Sequence, residues 1–123
     1  MKKITLPLLL AALLTASPVF AHEGHGQAVH GGIVAEAGHA QFEIVAKAGQ
    51  ITVYASNHGA PLATTGANGK LTVLSGAHKE EIVLLPAGED LLQGKGSLNT
   101  GDKVLLSVSW PGKKPLQARA VVQ

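Results

Sequence analysis

From residue 33 onward, apolar residues recur at every second position, which is the period of a strand with one buried face. Between His39 and Lys47, Ala40, Phe42, Ile44 and Ala46 share one face, while Glu43 and Lys47 fall on the other. Ile51, Val53 and Ala55 repeat the pattern, followed by Leu71 with Val73 and Ile82 with Leu84. Val104, Leu106, Val108 and Trp110 come next, and Leu116, Ala118, Ala120 and Val122 close the series. Short breaks rich in Gly, Pro and Asn separate these runs. They are Ala48-Gly49, Asn57-His58-Gly59-Ala60-Pro61, Ala67-Asn68-Gly69, Ser75-Gly76, Pro86-Ala87-Gly88, Thr100-Gly101-Asp102 and Pro111-Gly112. Asn68-Gly69 is expected to form a tight hairpin turn, because both residue types accept positive φ. Thr100-Gly101-Asp102 is expected to be a corner between sheets. No long helical period interrupts the series. The pattern predicts an all-β fold over residues 33–123: a small antiparallel β-sandwich, immunoglobulin-like or cupredoxin-like, or a barrel.

The residues ahead of this body read differently. Met1-Lys2-Lys3 is a basic start, Ile4 to Phe20 is almost wholly apolar, and Val19-Phe20-Ala21 places small residues around a cleavage point. That is the order of a secretory signal peptide, expected over 1–21 and removed on export to the periplasm. The run is short for a membrane span and no second apolar stretch follows, so no stable membrane insertion is expected after cleavage. Of the 123 residues, 102 then remain, enough for one domain. Lys2 and Lys3 leave with the leader, so eight Lys and Arg face eight Asp and Glu. No basic field is left to attract nucleic acid. The chain has no cysteine, so an exported fold must hold by packing alone and offers no thiolate to a metal. Phe42, Tyr54 and Trp110 are the remaining aromatic residues, too few for a base-stacking platform.

Between leader and body lies His22-Glu23-Gly24-His25-Gly26-Gln27-Ala28-Val29-His30-Gly31-Gly32. Residues 22–32 are expected to be a flexible arm, ordered from Val29 onward. Neutral imidazole is a common nitrogen ligand for first-row cations. Cleavage after Ala21 would expose the His22 amine, which closes a six-membered chelate with its own ring nitrogen. His25 or His30 would complete a nitrogen-rich site, with His58, in a turn, as a fourth candidate ligand. Copper(II) should bind most tightly by the usual divalent order, with zinc close behind in interest and nickel or cobalt as further candidates. Bound metal displaces protons, so such a site weakens as pH falls. The competing reading is a solvated tail whose histidines coincide.

The other polar residues read as surface. His39 is expected to open a strand and point outward, and His78 to be a solvated hairpin residue. Glu80-Glu81 and Glu89-Asp90 are neighbours whose side chains diverge in a strand, so neither pair should share a proton. Trp110 is expected to cap the core. Nucleophile-elbow, cysteine-nucleophile and phosphate-loop signatures are missing, and His22-Glu23-Gly24-His25 is one residue short of the zinc-protease motif, so no enzyme is expected.

The run His30-Gly31-Gly32-Ile33-Val34, with Gly38 to Glu43, Tyr54, the 57–61 turn, Gly66 to Ser75, Pro86-Ala87-Gly88 and Gly112-Lys113-Lys114-Pro115, carries a resemblance. From about His30 to Val122 the chain resembles small exported proteins found with heavy-metal efflux systems of the resistance-nodulation-division (RND) type. A similar domain occurs near the N-terminus of some periplasmic adaptors of those pumps. The resemblance implies periplasmic metal binding or efflux-linked handling, with an adaptor or pump as partner. Position 39 departs from the family pattern, where an aromatic or acidic residue is more usual. The expected function is metal buffering or delivery to an efflux system. Its rivals are a non-catalytic module that docks onto an efflux adaptor, its histidines incidental, and a copper-dependent oxidase built on an N-terminal chelate.

Overall fold

The computed structural model describes residues 27–123; the leader, His22 and His25 lie outside the described residues. Nine strands follow in order: β1 (Ile33–Ala37), β2 (Ala40–Lys47), β3 (Gln50–Asn57), β4 (Ala60–Pro61), β5 (Asn68–Ser75), β6 (His78–Pro86), β7 (Leu91–Lys95), β8 (Lys103–Ser109) and β9 (Leu116–Val121). All pairings are antiparallel, in the spatial order β1-β2-β3-β7-β6-β5-β8-β9, with β4 on the side of β3. β6 turns the corner between two layers: its first part pairs with β5, and Leu85 and Pro86 pair with Gln93 and Leu92 of β7. β1 comes to lie against β9, so the sheet is nearly closed into a barrel. Among the described residues no helix is long and apolar enough to cross a membrane.

Period-two alternation places the core. Phe42, Ile44, Ile51, Val53, Leu71, Val73, Ile82, Leu84, Leu92, Val104, Leu106 and Val108 are all buried, with Ala35, Ala37, Ala40, Ala55, Ala67 and Ala118 filling the narrower gaps. Trp110 packs partly buried against this cluster, and its indole N–H donates to the Ala63 carbonyl at 2.9 Å. Ala46 shares the parity of Phe42 and Ile44 but is exposed, because the end of β2 runs past the core.

Two-residue turns set the register. Ala48 (φ 52°) and Gly49 (φ 76°) join β2 to β3, and His58 (φ 51°) and Gly59 (φ 80°) join β3 to β4. Both have positive φ at each central residue, the hairpin geometry that matches strand twist. Gly38-His39 and Gly76-Ala77 join β1 to β2 and β5 to β6, each with positive φ at the glycine. Asn68-Gly69 corrects the sequence expectation: it is the start of β5, not a turn. A Cβ at Gly69 would stand 2.9 Å from the Leu84 Cβ, so the missing side chain is used for close strand packing rather than for positive φ.

The crossover from β4 to β5 is pinned by buried Thr64, whose hydroxyl donates to the Leu91 carbonyl at 2.8 Å. At Thr100-Gly101-Asp102 the chain turns into β8. The Asp102 carboxylate accepts the Ser75 hydroxyl at 2.5 Å and the Asn99 N–H at 2.9 Å.

Candidate functional site

The outward face of β1, β2 and β3 carries the site. Counting from the Ala48-Gly49 turn, Glu43 stands directly opposite Tyr54, and Gln41 opposite Ser56. Val34 of β1 flanks Glu43 on its other side. Parity puts the Glu43 side chain away from the core, as the alternation predicts, yet the residue is only 7% exposed. The covering is supplied by the segment just ahead of β1.

Glu43 is the anchor of that segment. Its Oε1 accepts the Val29 N–H at 2.9 Å, and its Oε2 accepts the N–H groups of His30 and Gly32, each at 2.8 Å. The His30 Nδ1 lies 3.0 Å from Oε1. Burial raises the Glu43 pKa, but the N–H groups of Gly32 and Val29 and the two His30 donors outweigh it, so the carboxyl sits below its ordinary value. Glu43 is therefore ionised and can only accept hydrogen bonds.

Gly32 makes the close approach feasible. A Cβ there would lie 2.4 Å from the Ile44 carbonyl oxygen and 2.8 Å from the Val45 Cγ2, so only glycine lets the chain pass this close to β2.

His30 is oriented from two sides. Its ring stacks on Tyr54 with centroids 3.7 Å apart and planes 4° from parallel. Because the facing carboxylate has no proton to give, the 3.0 Å contact requires a proton on Nδ1. In the neutral ring Nε2 then keeps its lone pair, on a side chain 42% exposed. A carboxylate that fixes one imidazole nitrogen and leaves the other bare is the usual outer support of a histidine metal ligand. A shallow hollow beside it is lined by Gln27, His30, Gln41, Tyr54, Gly59 and Asp90 among others.

The other candidates are placed as follows. His22 and His25 lie outside the described residues. His58 occupies the β3–β4 turn, four strand residues beyond the Tyr54 on which His30 stacks, a span of about 13 Å. Its ring neighbour is His39, with centroids 5.1 Å apart and planes tilted by 32°. His39 was expected to open a strand; it sits instead in the β1–β2 turn, exposed. His78 opens β6 and is exposed. Among the described residues no group of three or more His, Cys, Asp or Glu is arranged to hold a metal ion.

Sequence reasoning missed Glu43 and Tyr54 as the residues that hold His30. The signal was present in the two-residue turn at Ala48-Gly49, which by simple counting sets Glu43 against Tyr54 and His39 level with His58. Comparison of the chain with protein-family models, with curated proteins and with solved structures returned no match.

Proposed function

We propose that this chain is an exported periplasmic protein that binds a divalent transition metal and buffers it or delivers it to an RND-type heavy-metal efflux system. The observation that carries the reading is His30, held by Glu43 and Tyr54 with Nε2 left free to coordinate. His22 and His25, a few residues upstream in sequence, would supply further imidazoles to the same ion, whereas His58 stands in the β3–β4 turn beside His39. Gln27, two residues beyond His25 in sequence, lines the hollow together with His30 and Gly59. Copper(II) or zinc is the favoured ion, with nickel and cobalt as further candidates. The role is carriage, not catalysis.

Calorimetric titration of the processed protein with copper(II) and zinc tests this, beside His30→Ala and a variant lacking residues 22–30. Each variant should bind the arm-held ion at least about tenfold more weakly, as loss of even a supporting partner costs that much. Equal affinity and stoichiometry in all three would remove the arm from the account.

A second reading keeps the fold and drops the metal: a docking module for an efflux adaptor. It is favoured by the outer face of β5, β8 and β9, where exposed Leu74 and Val121 lie among Lys79, Lys103 and Arg119. It predicts that a partner is captured equally well with and without chelator.

A further inference from the structure

We propose that His39 and His58 form a separate two-imidazole site for a tetrahedral divalent cation, with zinc as the best fit. The two residues sit in adjacent tight turns, immediately beyond the last paired residues Ala40 and Asn57. Two-residue turns fix the backbone from which both exposed side chains project. Their ring centroids are 5.1 Å apart. Two imidazole nitrogens bound at about 2.0–2.1 Å and separated by about the tetrahedral angle place their ring centroids about 5 Å apart. A square-planar ion, with its ligands at right angles, brings the centroids to about 4.5 Å. The observed spacing matches two imidazoles on one tetrahedral ion.

Two donors leave two coordination positions for water, which makes an exchangeable site rather than a closed structural one. His39 also lines a hollow with Lys113 and Lys114, so a bound cation meets like charge on one side, and added inert salt should strengthen binding. The site stands four residues, about 13 Å of extended chain, beyond the Tyr54 on which His30 stacks, so it is a locus distinct from His30.

The test is zinc calorimetry on the full processed chain, with cobalt(II) absorption as a reporter of tetrahedral geometry. His39→Gln and His58→Asn are the variants; Asn tolerates the positive φ of position 58, so the turn is kept. Thermal unfolding of each should match the parent. Each should weaken one zinc site by about tenfold or more and lose the tetrahedral cobalt signal, while the arm-held ion is unaffected. Unchanged zinc binding in both variants, or an octahedral cobalt spectrum in the parent, overturns the proposal. Failure of the arm reading looks different, because there deletion of residues 22–30 leaves binding intact while the His39 and His58 variants still reduce it.

Discussion

Replacing Glu43 by Gln is the sharpest probe of how the arm is held. Each carboxylate oxygen accepts two hydrogen bonds: Oε1 from Val29 N–H and His30 Nδ1, Oε2 from the N–H groups of His30 and Gly32. A glutamine has one oxygen and one NH2. With its NH2 at the Oε2 position the amide meets two N–H donors. With its NH2 at the Oε1 position it meets the Val29 N–H, while His30 can switch tautomer and accept at Nδ1. Every orientation therefore leaves at least one donor unpaired. Hydrogen bonds to a charged acceptor contribute about 1.5–3 kcal/mol each; at least one is lost outright and the others fall to the strength of bonds to a neutral acceptor. The arm responds by lifting, which lets the freed N–H groups turn to water and caps the loss. The expected net destabilisation is about 2–4 kcal/mol in urea unfolding, with the m-value little changed. Hydrogen exchange should show lost protection at Val29, His30 and Gly32 while the Phe42 and Val53 amides stay protected. Metal affinity at His30 should fall about 10–100-fold, because the ring loses the partner that fixes its tautomer. The pH dependence follows from the same bonds. The folded Glu43 pKa lies below its ordinary value, so its contribution is complete above the usual glutamate range near 4.3. It disappears as pH falls through the lower folded value. Glu43→Gln should flatten that acid limb. Retained protection at the three arm amides, or a stability change under about 0.5 kcal/mol, would refute the reasoning.

Two further perturbations separate backbone space from carboxylate chemistry. Gly32→Ala sets a methyl 2.4 Å from the Ile44 carbonyl oxygen, so it should destabilise by about 1–3 kcal/mol in chemical denaturation and loosen the arm; a neutral result would mean the close approach is not needed. Asp102→Asn should be milder than Glu43→Gln, because an amide can accept from the Asn99 N–H with its oxygen and donate to the Ser75 hydroxyl with its NH2. The Ser75 hydroxyl and the Asn99 N–H hold the Asp102 carboxyl below its ordinary value. Asp102 therefore stabilises the fold above the usual aspartate range near 3.9 and loses that effect as pH falls further. Melting temperatures of the two variants across acid pH decide the order, and a greater loss in Asp102→Asn would contradict the geometry.

The all-β class and the composition of the core were written in the alternation of apolar residues. Each strand's parity is a local property, and Phe42, Ile44, Ile51, Val53, Leu106 and Val108 are buried where that parity puts them. Asn68-Gly69 shows the limit of local reading. The same pair that favours a hairpin turn serves as strand where Leu84 leaves no room for a side chain at residue 69. The register of β2 on β3 was also implicit, since one two-residue turn at Ala48-Gly49 fixes which residues stand opposite.

Other facts belong to the tertiary structure alone. The insertion of β7 between β3 and β6 depends on a long-range pairing that no local pattern encodes. The burial of Glu43 depends on where a segment from Val29 to Gly32 lies in space. Alternation can say that a side chain leaves the core, because that follows from the pleat of its own strand. It cannot say whether something distant in sequence then covers it, because that is decided by which donors reach the carboxylate once the chain is folded.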